Sequence, residues 1–518
     1  MKYHGFELVA FEVEVLEELE ENLGKRIVII PDDIIDYRLL SLELKGKSIK
    51  SIPDSIGNLQ QLKVLDIEST SLESLPEIIC NLSQLKELGL HSLQLKSIPD
   101  SIGNLTQLEG LWITESSLKS LPEKICHFAK LEILHIECTP LESLPDSIGN
   151  LSQLKELYIE STQLNSIPDS IGNLQQLEEL YIESTQLNSI PDSIGNLQQL
   201  KFLDIESASL ESLPDSIGNL SQLKELRITQ SPLESLPDSI GNLSQLKELY
   251  IESTQLSSIP NSIGNLQQLK ALTIKSTLLK SLPERICNLS QLKELYIEST
   301  QLNSIPDSIG SLSQLKQLYI KSTPLMFLPD SFGNLQELER LGLMNTSLES
   351  LPDSFVNLKK LGSVYLSGNN IVKLPKQLWL FFSKIKTNFF FNKSKHRLSF
   401  NKFKKVYSDL NEEENTFREY LYKLAMRWFP KRIAELDEII ESDDVIFQKA
   451  VKAVHQNWLG MGNTVAKTIY GTLIGAGLLR IYDELFNTES NLLLFLAIFF
   501  SLFGVFIVII DFTMKKSQ

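Results

Sequence analysis

The chain has 518 residues, a net charge of −16 and 42% hydrophobic residues, enough for several ordinary domains or one large repeat array. The charge is uneven. From Phe382 onward 19 Lys+Arg stand against 15 Asp+Glu, a net of +4, which leaves 30 basic and 50 acidic residues, a net of −20, in 1–381. So acidic a body repels phosphates and argues against nucleic acid as the main partner, and four cysteines are too few for a disulfide framework.

The first 38 residues read as a cap. Met1 to Glu21 is acidic and lacks a basic stretch followed by an apolar one, so no cleavable signal peptide is expected. Phe11, Val13 and Val15 alternate as in a strand, and Leu16, Leu19 and Leu23 then follow helical spacing up to Gly24.

From Leu39 a repeat takes over. Prolines fall at 53, 76, 99, 122, 145, 168, 191, 214, 237, 260, 283, 306, 329, 352 and 375, every step being 23 residues. A clean unit, 154–174, reads LKELYIESTQLNSIPDSIGNL. Leu157 and Ile159 alternate with polar residues, which predicts a strand with one buried face. Leu164 and Ile167 turn inward, Pro168 suits the start of a short helical turn, and Ile171 and Leu174 return to the core. One unit cannot bury this many apolar side chains; stacked units can, each adding a strand to a parallel sheet. Fifteen strands at roughly 4.8 Å make an inner arc on the order of 67 Å. Cys80, Cys126 and Cys287 stand four residues after a repeat proline, where most units have Gly, and read as small buried residues.

This skeleton resembles the leucine-rich-repeat proteins, and its L-P-x-x-I-G-N-L form is similar to their intracellular Ras-group type. The resemblance covers about 39–381. It implies an α/β repeat solenoid, a horseshoe with a parallel concave sheet, and a binding scaffold for other proteins, small GTPases among them. One column departs from the family pattern. Where the family carries Asn, this chain reads mostly Thr, as at Thr162, Thr185, Thr254 and Thr300, with Leu93 and Ala208 as gaps and Asn369 alone conforming. A hydroxyl has one donor where an amide has two, so a weaker hydrogen-bonded ladder of threonines is expected.

The alternate strand residues form three solvent-facing columns. The middle one holds Tyr158, Tyr181, Tyr250, Tyr296, Tyr319 and Tyr365, interrupted by Asp66, Trp112, His135, Asp204 and Arg227. Glu156, Glu179, Glu225, Glu248 and Glu294 flank it on one side, and Glu68, Glu137, Glu160, Glu183, Glu206, Glu252 and Glu298 on the other. A tyrosine stripe between two acidic stripes is expected on the concave face. Tyr gives stiff contact area with a polar tip, and aligned carboxylates favour a basic protein partner. Duplication alone would also copy the pattern, since 165–187 and 188–210 share most of their first fourteen residues.

Signs of catalysis are missing. Gly46-Lys47-Ser48 resembles the end of a phosphate loop, but position 41 is Ser rather than Gly. There is no H-E-x-x-H and no paired C-x-x-C. His91 and His135 fall two repeats apart, roughly 10 Å by strand spacing and too far for one metal. No enzyme, cofactor or metal is expected.

The remainder, 382–456, begins basic and aromatic. Lys384 to Lys405 has eight Lys/Arg and no acidic residue among Phe389, Phe390, Phe391, Phe400 and Phe403, a composition suited to an anionic membrane surface or to a plain linker. Amphipathic helices are expected over 412–429 and 431–458, separated by Pro430. Residues 457–518 read as a membrane region. Leu492 to Ile510 is an uncharged apolar run long enough for a transmembrane helix over 491–511. A shorter stretch, 463–481, is a possible first span, with Gly471 and Gly475 spaced for close helix packing. Basic flanks at Lys449, Lys452, Lys467, Lys515 and Lys516 favour a hairpin with both ends in the cytoplasm. These readings converge on a membrane-anchored adaptor or scaffold for signal transduction, of unknown oligomeric state. The rivals are a cell-surface receptor with extracellular repeats and a regulatory subunit of an oligomeric membrane assembly.

Overall fold

The computed structural model describes residues 1–371 apart from 47, 48, 70, 162 and 370. The expectations for the linker, for the spans 463–481 and 491–511, and for Gly471 and Gly475 lie outside the described residues. Among the described residues no helix is long and apolar enough to cross a membrane.

In chain order the elements are β1 (Lys2–Tyr3), β2 (Phe6–Glu7), α1 (Ala10–Leu23), β3 (Ile34–Ile35), β4 (Arg38–Leu39), β5 (Ser41–Gly46), β6 (Val64–Ser69), β7 (Glu87–Ser92), β8 (Gly110–Thr114), β9 (Ile133–Thr139), β10 (Glu156–Ser161), β11 (Glu179–Glu183), β12 (Phe202–Glu206), β13 (Glu225–Ser231), β14 (Glu248–Ser253), β15 (Ala271–Ser276), β16 (Glu294–Glu298), β17 (Gln317–Lys321), β18 (Arg340–Met344) and β19 (Ser363–Tyr365). They fall into two compact units, which are described separately. The first is Met1–Leu325 with Pro329–Arg340 and Asn357–Lys360; the second holds Met326–Leu328, Leu341–Val356 and the described residues from Leu361.

In the first unit the short β1–β2 pair is followed by the helix α1, where the sequence suggested a strand. The alternation at Phe11, Val13 and Val15 predicted a strand, but these residues lie in one continuous helix. Val13, Leu16 and Leu19 recur at helical spacing and are buried with Val15, while Phe11 stays 40% exposed. Glu12 is fully buried. Its carboxylate accepts from Arg38 Nε at 2.8 Å and from the Leu39 N–H at 2.9 Å, so the charge keeps partners inside the core. Gly24 ends the helix in the left-handed conformation, φ 63°, which Gly adopts without a Cβ clash.

Strands β5 to β17 pair in sequence order in a parallel sheet. Outside two strand ends, a residue pairs with the one 23 positions on, as in Leu157 with Leu180 and Ile159 with Ile182. The period of the sequence is therefore the register of the sheet. Leu157, Ile159, Leu164, Ile171 and Leu174 are all buried, and so are their counterparts in neighbouring repeats. Pro168 lies just before the short helical turn Asp169–Asn173 rather than inside it, extended at φ −68°, ψ 148°, and its carbonyl accepts the Ile171 N–H at 3.0 Å. At Gly195 the turns of adjacent repeats touch: a Cβ there would lie 2.4 Å from the Ser216 carbonyl oxygen. Cys80, Cys126 and Cys287 are buried, as their small size at that position suggested.

The expected threonine ladder runs along the outside of the turns, where Thr300 donates to the Thr277 carbonyl at 2.8 Å and Thr277 to the Thr254 carbonyl at 2.6 Å. Thr185, Thr254 and Thr300 are exposed, and position 162 is not described. The hydroxyl that turns inward belongs to the serine one residue earlier. Ser69, Ser92, Ser161, Ser184, Ser207, Ser253, Ser276 and Ser299 are buried. Ser184 donates to the Leu164 carbonyl at 2.6 Å and accepts the Gln186 N–H at 3.2 Å. Ser253 bridges the Leu233 carbonyl at 2.7 Å and the Gln255 N–H at 3.1 Å. One hydroxyl thus ties its own turn to the loop of the repeat before.

Five repeats solve the same problem differently. Glu115, Cys138, Gln230, Ser322 and Asn345 have φ between 49° and 57°, and the next residue, Ser116, Thr139, Ser231, Thr323 or Thr346, is the one buried. The cause is legible in hindsight. The serine arrangement needs a serine and, two residues on, a backbone N–H. Position 115, 138, 230 or 345 is not serine; Ser322 is, but Pro324 stands two residues later and has no N–H to give. Pro140 and Pro232 occupy the same place after Cys138 and Gln230. The left-handed residue adds a step to the strand end, and the register shifts at β9–β10 and β13–β14.

In the second unit Leu341, Leu343, Leu348, Val364 and Leu366 are buried. Asn369, the one residue of the family type, donates to the Leu343 carbonyl and to the Leu366 carbonyl at 3.0 Å, and accepts the Leu348 N–H at 3.2 Å. It does the work that one serine hydroxyl does elsewhere.

Candidate functional site

The open face of the sheet carries the three columns in register. Tyr158 pairs with Tyr181, Glu156 with Glu179, and Glu160 with Glu183. All thirteen candidate residues, Glu156, Tyr158, Glu160, Glu179, Tyr181, Glu183, Glu248, Tyr250, Glu252, Glu294, Tyr296, Glu298 and Tyr319, are at least partly solvent-exposed on that face. The middle column is interrupted where the sequence indicated, as at Asp204 and Arg227, and also at Thr273.

On the β8–β11 side the aromatics touch. Tyr158 and Tyr181 stack at 4.2 Å with planes 6° apart; His135 lies 5.4 Å from Tyr158, and Trp112 meets His135 edge-on at 6.3 Å. Stacking follows from identical rings on adjacent parallel strands in register. Four tyrosines, Tyr158, Tyr181, Tyr250 and Tyr296, point their hydroxyls at the glutamate two residues on. Tyr181 donates to Glu183 at 2.7 Å, Tyr250 to Glu252 at 2.8 Å and Tyr296 to Glu298 at 2.9 Å. Burial and then the neighbouring carboxylate push the Tyr181 hydroxyl well above the usual tyrosine range, and Tyr296 up to about 12 for the same reasons. These phenols stay protonated donors.

The acidic flank divides in two. Glu137, Glu160, Glu183 and Glu206 follow one another on adjacent strands. Beyond Thr229, however, the column alternates Glu252, Lys275, Glu298, Lys321. The two lysines were missed among the acidic residues, although the 23-residue step from Glu252 leads straight to them. Lys275 Nζ bonds Glu252 at 2.8 Å and lies 5.1 Å from the centre of the Tyr250 ring. Lys321 Nζ lies 4.7 Å from Tyr296 and 5.8 Å from Tyr319. Burial works against the Lys275 charge, but the Glu252 and Tyr250 hydrogen bonds outweigh it and its pKa rises; the same lysine holds Glu252 below the usual carboxylate range.

At β11–β12 the place of Lys275 is taken by Glu206. Burial raises Asp204 to about 6, with Arg227 opposing and Glu206, Glu225 and Glu183 reinforcing the rise. Burial and then Glu183 raise Glu206 as well. Arg227 is itself engaged by Glu225 and lies 5.8 Å from the Phe202 ring.

Among the described residues one trio, Glu137, Cys138 and Glu160, brings its ligand atoms within 4.8 Å of one another. Cys138 Sγ donates to Glu160 at 3.1 Å, and that bond, with burial and the surrounding carboxylates, pushes the thiol up to about 11. The thiolate, the form a metal needs, is disfavoured there. His91 pairs with Asp66 at 3.0 Å and His135 faces Glu156 at 3.7 Å.

Known proteins resemble this architecture. The sequence description of the leucine-rich repeat region matches residues 36–117, 111–189, 180–253 and 238–323. A leucine-rich repeat protein of Leptospira interrogans superposes with a TM-score of 0.61 at 27% identity, covering 74% of this chain and 99% of its own. The plant peptide hormone receptor RGFR1 in complex with RGF2 superposes with a TM-score of 0.50 at 27% identity, over 68% of this chain and 66% of the receptor. The functional domain of InlJ from Listeria monocytogenes shares the fold, with a TM-score of 0.52 at 18% identity over 64% of this chain and 68% of its own. No curated protein sequence matches the chain.

Proposed function

Because this chain belongs to the leucine-rich repeat family, we propose that it is a non-enzymatic scaffold that grips a basic protein through the open face of its sheet. One observation carries the reading. Tyrosines and glutamates recur in register on adjacent strands of a solvent-facing sheet, a pattern that gives rigid contact area together with charge complementarity. Proteins of this architecture bind proteins, and the RGFR1 structure is a complex with RGF2. The resemblance of the 23-residue unit to the Ras-group type makes a small GTPase a finer candidate partner.

The apolar run Leu492 to Ile510 supports a tether: the repeats would be held at a membrane, facing the cytoplasm, as an adaptor in signal transduction. The receptor among the similar structures favours a second reading, with the repeats outside the cell. Protease added to sealed vesicles carrying the full chain separates the two. Repeats degraded only after the vesicles are opened, in vesicles whose outer face is the extracellular one, support the cytoplasmic orientation; degradation in intact vesicles supports the receptor.

The binding reading is tested by charge reversal. Crosslinking in cells should capture a partner on the full chain, and Glu160→Lys, Glu183→Lys and Glu298→Lys together should abolish the capture while leaving the thermal transition in place. Undiminished capture by the triple variant would show that the partner sits elsewhere.

A further inference from the structure

The chain displays, on its own surface, the ligand chemistry its empty positions lack. At β14–β15 a tyrosine, the glutamate two residues on and the lysine paired with that glutamate on the next strand form one unit: Tyr250 donates to Glu252, and the Lys275 ammonium bonds Glu252 while lying against the Tyr250 ring. The middle-column residue beside Tyr250 is Thr273, small enough to leave the ring face open to that ammonium. At β16–β17 Lys321, on the strand position paired with Glu298, lies 4.7 Å from the centre of the Tyr296 ring.

The β11–β12 pair repeats the unit with the cation removed. Tyr181 donates to Glu183; the residue beside Tyr181 is the short Asp204, and the residue paired with Glu183 is Glu206 where β15 has Lys275. One face of Tyr181 is covered by Tyr158, so its other face looks toward β12. Glu206 accepts from the Thr229 hydroxyl at 3.2 Å and from the Gln230 amide, neutral donors that fix its carboxylate without cancelling its charge. Three carboxylates, Glu183, Asp204 and Glu206, thus converge beside one aromatic ring.

We infer that the notch formed by Tyr181, Glu183, Asp204 and Glu206 is a subsite for the ammonium group of one lysine side chain supplied by the partner. The inference rests on the proposed use of this face for a basic protein. Attraction to the ring face and to an anchored carboxylate are the two forces that hold Lys275 in the equivalent place. At β14–β15 and β16–β17 the chain fills these positions itself, so the partner's cation is directed to β11–β12.

The test uses the full chain and a fluorescent decalysine peptide, with binding read by anisotropy. Glu206→Lys copies the arrangement at Lys275 and should seat an internal ammonium in the notch, weakening decalysine about tenfold or more. Glu68→Lys, an equal change of charge in the same column on β6, should weaken it less than about threefold. Tyr181→Leu, with charge unchanged, should also weaken it, and Lys275→Glu should tighten it by vacating the second notch. Equal losses for Glu206→Lys and Glu68→Lys, with no effect of Tyr181→Leu, would mean that the peptide senses only net charge; the subsite would then be wrong while the basic-partner reading stood. Decalysine binding no tighter than decaglutamate would overturn both.

Discussion

Ser253 and Thr254 are neighbours with opposite duties. Ser253 is buried and holds the Leu233 carbonyl and two N–H groups, those of Gln255 and Leu256; the Thr254 side chain is exposed. Removing a hydroxyl that serves buried backbone groups leaves them unpaired, at a cost of about 1–3 kcal/mol, whereas exposed substitutions change little. Ser253→Ala should lower the melting temperature by several degrees and Thr254→Val should leave it nearly unchanged, as read by thermal unfolding. Asp204 carries a different signature. Its pKa in the folded chain, about 6, exceeds the ordinary 3.8, so the folded state binds the proton more tightly than the unfolded one. Its contribution favours folding below about 3.8 and is lost as pH rises through about 6. Asp204→Asn should therefore raise the melting temperature at pH 8, by about 1–3 °C after allowance for its partial exposure, and flatten the dependence between pH 4 and 7. A variant that melts below the parent at pH 8 would show that Arg227 outweighs burial.

At the scale of the element, thirteen described repeats end their strand in one of two ways, and what decides is whether a serine stands at the turn with an N–H two residues on. Eight repeats place a serine inward with an N–H two residues later; five pass through a left-handed residue first. Ser322 is the informative case, a serine denied the first form by Pro324. Pro324→Gln restores the missing donor and should return Ser322 to φ near −60° to −160° with its hydroxyl inward, visible in a crystal structure of the variant. Persistence of the positive φ would assign the choice to the neighbouring repeats instead. The N-terminal element shows the reverse limitation of local pattern. Phe11, Val13 and Val15 alternate, yet α1 forms because Val13, Leu16 and Leu19 share a helical face and Glu12 finds Arg38 26 residues away. Two-residue periodicity over five residues is too short to outweigh that.

For the whole molecule, the 23-residue step fixed most of what matters, because a parallel sheet of identical modules has only one register that keeps every apolar column buried. The core, the parallel pairing of β5 to β17 and the composition of the open face could all be read from the spacing of Pro, Leu and Ile. The lysines of the flanking column were equally legible, since Lys275 and Lys321 lie one step from Glu252 and Glu298. What only the tertiary structure decided is how side chains divide the available partners: which hydroxyl meets a buried carbonyl, which glutamates are neutralised by a lysine one strand over, and which ring faces stay open. The physical reason is that periodicity specifies where a Cβ lies, whereas hydrogen bonds and ring contacts depend on angles and on donors in the next repeat, which a one-dimensional pattern does not contain.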